Sequence, residues 1–80
     1  MDKVYFRVFV GEVIALFPDM PENDFTFRGK THKNITSYQH IGQHGAASTS
    51  IITDWPAATE EQYRSLANEL RSIGYDLEIL

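Results

Sequence analysis

The sequence predicts a small α+β fold, in which a mainly antiparallel sheet of three to five strands carries one amphipathic helix on one face. Three patterns support this fold class. Apolar residues alternate with a period of two early in the chain, a helix with both boundary signals occupies residues 60–73, and a short alternating segment follows it. The predicted order is β-β-loop-β-loop-α-β, within a single α+β domain of residues 1–80.

The first two strands are predicted to form a hairpin. Residues 3–10, KVYFRVFV, alternate as a half-buried strand does. Gly11 supplies the positive φ of a tight turn, and the apolar run of residues 12–17 then predicts a central strand. Pro18 is predicted to end it, because proline donates no backbone hydrogen bond to a ladder. The face of the first strand turned away from the predicted core carries Lys3, Tyr5, Arg7 and Phe9.

The middle of the chain gives weaker signals. Residues 18–36 are rich in turn formers and predict a long loop, in which Phe25 and Phe27 would suit folding across the outer face of the first strand. Residues 35–41 alternate and predict a third strand. Residues 50–53, SIIT, predict a short strand or an extended connection.

The helix is the clearest element. Thr59 and Gln62 form the sequence signature of a capping box, and Gly74 suits a left-handed residue just past the last turn. Residues 75–80, YDLEIL, alternate again and predict the last strand. The apolar stripe of the helix recurs at a spacing of three and four, which is the spacing of a core-facing surface: Tyr63, Leu66, Ala67, Leu70 and Ile73.

Composition excludes several classes of function. The 80 residues carry a net charge of −4, which disfavours binding to nucleic acid or to anionic membranes. Without cysteine, disulfides and cysteine-bound zinc are excluded. No apolar run approaches the roughly 18 residues of a membrane span, and the first residues lack a signal-peptide pattern. We therefore expect a small soluble, cytoplasmic protein without a cofactor.

The segment SYQHIGQHGAAST, from Ser37 to Thr49, is the predicted place for a ligand site. It is interpreted as a glycine-flexible loop that concentrates polar side chains, and loops often carry binding residues. Metal binding, a phosphate cradle of backbone amides, and a histidine base with a serine nucleophile are weighed against simple polar-loop histidines, which are favoured. The candidate ligand-binding residues are His40, Gln43, His44 and Ser48.

A protein-binding surface is the leading functional hypothesis. No convincing catalytic set is visible, so the sequence favours a non-enzymatic accessory domain with a protein partner or a second copy of itself. Trp55 is interpreted either as a hydrophobic staple at the start of the helix, which is favoured, or as an exposed anchor, since tryptophan is frequent at binding hot spots. The candidate partner surface comprises Tyr5, Arg7, Phe9 and Trp55.

The chain also resembles a known group of proteins. The opening KVYFRVF…GEVIALFPD, the central SYQHIGQHGAAS and the closing AATEEQYRSLANELRSIGYDLEIL are similar to a group of small uncharacterised proteins found among bacterial, bacteriophage and mobile-element coding sequences. The resemblance covers essentially the whole chain. It implies a cytoplasmic protein of bacterial or phage type, and it implies no activity, ligand or catalytic residue.

Overall fold

The computed structural model describes residues 1–22, 25–40 and 43–80. These described residues form seven strands and two helices. Their bounds are β1 Asp2–Phe9, β2 Glu12–Pro21, β3 Phe25–Phe27, β4 Lys30–His32, β5 Asn34–Gln39, β6 Gln43–Ser48, α1 Ile51–Asp54, α2 Glu60–Ser72 and β7 Leu77–Ile79.

The main sheet has five strands in the order β6-β5-β2-β1-β7. The first three neighbouring pairs are antiparallel, whereas β7 runs parallel to β1 after the crossover through α2. β3 and β4 form a separate antiparallel hairpin. The predicted fold class is therefore confirmed, and the regions predicted as loops contain additional strands.

One face of the sheet packs against α2. Val4 and Phe6 of β1, Phe17 of β2 and Tyr38 of β5 are almost fully buried beneath Leu66, Ala67 and Leu70 of the helix. The capping box predicted at Thr59 and Gln62 is confirmed, and both of its hydrogen bonds form. The Thr59 hydroxyl accepts from the Gln62 backbone amide, and the Gln62 side chain accepts from the Thr59 backbone amide. Gly74 has a φ of +114°, as predicted for the residue that follows the helix.

The opposite face is also covered. Ile14, Leu16, Ile35 and Ala47 form a second core cluster, against which Tyr5, Ile51, Ile52 and Trp55 pack. The prediction of a strand or extended connection at residues 50–53 is wrong, because α1 occupies Ile51–Asp54. Two consecutive isoleucines favoured a strand locally, but one helical turn lets both side chains reach the second cluster.

The first hairpin turns through Val10 and Gly11. Both have positive φ, of 50° and 78°, and Phe9 pairs with Glu12 around them, as in a two-residue type I′ turn. The prediction that Pro18 ends β2 is wrong. The strand continues to Pro21, while its pairing with β5 lapses after Phe17 and resumes at Pro21, because an irregularity in the ladder tolerates residues that donate no hydrogen bond.

The prediction of a third strand at residues 35–41 is confirmed over residues 35–39, and residue 41 lies outside the described residues. The interpretation of Ser37–Thr49 as a loop is wrong. Ser37–Gln39 belong to β5 and Gln43–Ser48 to β6, so the segment is an antiparallel hairpin in which Tyr38 pairs with His44 and Ser37 with Gly45. Gly45, Ala46 and Ala47 have weak strand propensity on their own. Pairing along β5 and burial of Ala47 against the second cluster override that propensity.

Residues 56–58 carry the chain from one face of the sheet to the other around the outer edge of β1. The Val8 amide donates to the Pro56 carbonyl over 2.9 Å, and the Ala58 amide donates to the Phe6 carbonyl over 3.0 Å. Nearer the start of β1, β7 takes the same edge, where the Leu80 amide donates to the Val4 carbonyl over 2.9 Å. The outer edge of β1 is thus covered along its length.

Candidate functional site

The hairpin of β5 and β6 is joined to α2 through a hydrogen bond from His40. Its Nδ1 lies 2.8 Å from Oε1 of Glu69, so the imidazole donates to the carboxylate. The other carboxylate oxygen of Glu69 accepts a hydrogen bond from the hydroxyl of the buried Tyr38. Glu69 thereby accepts hydrogen bonds from two side chains, Tyr38 and His40, and links this part of the chain to the helix.

His44 makes a second connection on the same face. Its Nε2 lies 2.9 Å from the Tyr75 hydroxyl, and its ring meets the Tyr38 ring edge-on with centroids 4.7 Å apart. Tyr75 in turn stacks on the buried Phe17 at 4.9 Å. The imidazole of His44 is therefore integrated into an aromatic cluster that includes the turn after α2.

The four candidate ligand residues do not converge on one point. His40 opens onto a cavity of about 400 Å³ that Gly11, Glu12 and Gln62 also line. His44 opens onto a different cavity of about 450 Å³, beside Tyr75. Ser48 Oγ lies 3.0 Å from Ser50 Oγ, in the turn before α1. The side chain of Gln43, like Ile41 and Gly42, lies outside the described residues.

The residues present do not form a metal site within the described ranges. No three His, Asp or Glu side chains there are close enough together to share an ion. Gly45, which would form part of a phosphate cradle, lies inside β6 rather than in a loop. Instead, Tyr38 and His40 bond to α2, His44 bonds to Tyr75 just beyond α2, and Ser48 bonds to Ser50.

The candidate partner residues lie together on the second face, around α1. The Nε of Arg7 donates to the Ile52 carbonyl over 2.8 Å, and its guanidinium lies over the Tyr5 ring at 5.0 Å. Trp55 stacks on Phe9, with ring centroids 4.7 Å apart and an interplanar angle of 19°. Trp55 thus packs on the face opposite α2, so the favoured interpretation as a staple of that helix is wrong.

Two of these residues, Phe9 and Trp55, form with Val10 an aromatic corner, which keeps part of its surface exposed to solvent. Phe9 is 52% exposed and Val10, at the tip of the hairpin, is 84% exposed, while Tyr5, Arg7 and Trp55 are half-buried. Tyr5 and Trp55 are half-buried because they pack, together with Ile51 and Ile52 of α1, against the second cluster. The predicted covering by Phe25 and Phe27 concerns side chains outside the described residues.

Three residues of the polar network were not predicted as site residues. Tyr38 was predicted only as a strand residue, Tyr75 only as part of the last strand, and Glu69 not at all. Glu69 follows Leu66 by three residues and precedes Leu70, so a carboxylate on the flank of the apolar stripe was the available signal. Its partners could not be found without the strand order.

Comparisons with known proteins add no relative. No protein-family model, no curated protein and no solved structure matches the chain. Among the described residues, no helix combines the length and the apolar character that crossing a membrane requires.

Proposed function

We propose that this chain is a non-enzymatic protein-binding or accessory domain of bacterial or phage type, which binds its partner through the aromatic corner of Phe9, Val10 and Trp55. The observation that carries the proposal is the half-exposed Phe9–Trp55 stack beside an exposed valine. Aromatic side chains that are ordered before binding lose little conformational entropy when a partner covers them.

The conformation of Val10 supports the same surface. A φ of 50° is unfavourable for a β-branched residue, and asparagine or glycine is the usual choice at this turn position. Val10 also exposes 84% of its surface, so it adds little to the core. A strained and exposed apolar residue fits a role in contact with another molecule.

The exposed charges near the corner indicate the chemistry of the partner, because Arg7 is half-buried and already bonds to the Ile52 carbonyl. Glu12 pairs with Phe9 across the hairpin and Asp54 precedes Trp55, and both carboxylates are exposed. The chain as a whole carries a charge of −4. The complementary surface is therefore an apolar centre flanked by Lys or Arg side chains.

The alternative prediction, a small-ligand or metal function centred on residues 37–49, has less support. His40 and His44 both use a ring nitrogen in hydrogen bonds that hold the hairpin to α2 and its following turn. The two histidines open onto separate cavities. Packing and hydrogen bonding are therefore sufficient to account for the presence of His40 and His44 at these positions.

The proposal is tested by affinity capture from a bacterial lysate with matched variants. Phe9→Ser removes the corner, whereas Ile73→Ser removes an equally exposed apolar residue, 53% against 52%, at the end of α2. A captured protein counts only if its purified form binds wild type and Ile73→Ser equally. It must also bind Phe9→Ser at least about tenfold more weakly, a loss of about 1.4 kcal/mol.

If every protein retained by the wild type is retained equally by Phe9→Ser, the aromatic corner is not the binding surface. Thermal melts of both variants establish that they are folded before binding is compared.

A further inference from the structure

The direction of the backbone groups in β6 follows from two hydrogen bonds. The Thr49 amide donates to the Lys33 carbonyl over 3.2 Å, and on the other side of β5 the Glu22 amide donates to the Asn34 carbonyl over 3.0 Å. Residues of an antiparallel strand point their backbone groups alternately to either side. Gly45 and Ala47 therefore bond to β5, whereas the amides and carbonyls of His44, Ala46 and Ser48 point away from the sheet.

The outer edge of β6 has no strand beside it in the described part of the chain. His44, Gly45 and Ala46 are exposed, and the strand sequence QHGAAS contains neither a charged residue nor a proline. Natural sheets usually protect their edges with charges, prolines, bulges or very short strands. None of these devices is present in β6, so its outer edge lacks the usual protection against the addition of a further strand.

We propose that β6 pairs with β6 of a second copy of this chain, antiparallel about a two-fold axis at Ala46. In this register Ala46 faces Ala46, and His44 faces Ser48 of the second copy. Every described outward residue of β6 then exchanges both of its hydrogen bonds. Registers centred on Gly45 or Ala47 leave an outward residue of β6 facing a position outside the strand, so Ala46 is the favoured centre.

The side chains in this register are compatible with close pairing. Two alanines meet at the axis, and the flanking pairs join an imidazole to a hydroxyl, so no like charges are opposed. α2 lies over β1 and β2, with Tyr38 of β5 also beneath it. Five strand spacings separate the two copies of β2, which is about 24 Å. This exceeds the roughly 10–12 Å diameter of a helix with its side chains, so the two copies of α2 do not clash.

The charge of the chain does not prevent this pairing. Each copy carries −4, and its acidic residues lie outside β6. Helices about 24 Å apart are separated by more than the Debye length of about 8 Å at physiological salt, so their repulsion is screened. Because the contact is mainly backbone pairing and buries little apolar area, we expect a weak dimer. This contact uses a different surface from the aromatic corner.

The first test is the mass in solution over a range of concentrations. We expect the wild type to rise from the monomer mass at about 10 μM toward the dimer mass at about 1 mM in sedimentation or light scattering. Ala46→Lys places two ammonium groups at the axis and should remain monomeric. Ser65→Lys makes the same charge change on the exposed face of α2 and should dimerise as the wild type does.

The second test locates the contact by amide hydrogen exchange. In the monomer, Gly45 and Ala47 should exchange slowly and His44, Ala46 and Ser48 quickly. Raising the concentration should slow exchange at these three outward amides, which dimerisation through another surface would not do. Ala46→Pro is the second variant, because it removes an outward amide without removing a bond to β5. Circular dichroism checks the fold of each variant.

Three results would overturn the proposal. A wild type that stays monomeric at 1 mM would exclude the second copy and leave a strand from another protein as the occupant of the edge. Equal dimerisation of folded Ala46→Lys and Ser65→Lys would place the contact elsewhere. Unchanged exchange at the outward amides in a dimeric sample would do the same. Loss of binding by Phe9→Ser bears on the aromatic corner alone, so the two proposals can fail independently.

Discussion

The outer edges of β1 and β6 differ in whether their backbone amides and carbonyls are hydrogen-bonded within the described chain. On β1, the Asp2 and Val8 amides donate to Asp76 and Pro56, and the Val4 and Phe6 carbonyls accept from Leu80 and Ala58. The strand beyond it, β7, has only three residues and includes Glu78, so it is a poor template. On β6, by contrast, none of the six residues is an Asp, Glu, Lys or Arg, and the backbone groups of His44, Ala46 and Ser48 point outward without a described neighbouring strand. One side is closed within the chain, and the other is available for association.

Proline substitutions at the two edges should differ most in their effect on the free energy of unfolding. Val8→Pro removes the donor that closes the β1 edge and deprives the Pro56 carbonyl of its bond. We expect a loss of about 2–3 kcal/mol in the free energy of unfolding, or roughly 10–20 °C in Tm. Ala46→Pro removes only an outward amide and should cost less than about 1 kcal/mol in the monomer.

Chemical denaturation at low micromolar concentration measures both values without interference from dimers. Val8→Ala is the control, because it removes the side chain of Val8 and keeps its amide. If Ala46→Pro proves as costly as Val8→Pro, the outward direction assigned to Ala46 is wrong.

Glu69→Ala should have the next largest effect, because it detaches the open-edge hairpin from α2. The substitution removes the acceptor of both His40 and the buried Tyr38 hydroxyl. We expect a loss of about 1.5 kcal/mol, a value within the usual cost of depriving a buried polar group of a partner. The amides of β5 and β6 should then exchange faster than those of β1 and β7.

Glu69→Gln is the matched variant, since it keeps an oxygen that can accept from Tyr38 and has a similar helix propensity. It should lose less than Glu69→Ala. Equal stability of all three proteins in urea would show that the contact with Glu69 adds nothing to the attachment of the hairpin.

Val10→Asn should have the smallest effect and the opposite sign. Asparagine followed by glycine suits a type I′ turn, and the left-handed conformation costs a residue such as valine about 1–2 kcal/mol. We expect a gain of about 1 kcal/mol and a rise in Tm of roughly 4–8 °C. Because β5 lies between this hairpin and β6, dimerisation should not change, while binding through the aromatic corner should weaken. A fall in stability would contradict the strain assigned to Val10.

The difference between the two sides could not be predicted from local patterns. The alternation of residues 3–10 and the capping box at Thr59 are local, so β1 and α2 were predicted close to their observed bounds. β6 was missed because Gly45, Ala46 and Ala47 form a strand only when β5 lies alongside. α1 was not predicted, because Ile51 and Ile52 favour a strand by local propensity. They form a helical turn because both side chains then pack against the second core cluster.

For the candidate sites, too, local sequence predicted some features, whereas others depend on contacts between distant segments. Tyr5, Arg7 and Phe9 were selected from one face of a predicted strand, and they do share a face, because side chains alternate along any strand. The prediction that this face lies away from the core is wrong, because Tyr5 packs against the second core cluster. The contacts of Phe9 with Trp55 and of Arg7 with Ile52 depend on where the chain returns 45 or so residues later. The candidate ligand residues were grouped by closeness in sequence, and a hairpin separates such neighbours between its two strands and its turn.

By itself, the sequence determined the α+β class, the helix with its caps, the first hairpin and the net charge of −4. These follow from periodicity, turn chemistry and composition, which act over a few residues. Only the tertiary structure decided the strand order, the covering of the second face by α1, the link from the hairpin to Glu69 and the contrast between a closed and an open edge. Each of these depends on pairing between distant segments, whose cost in chain entropy is offset only when the whole sheet forms.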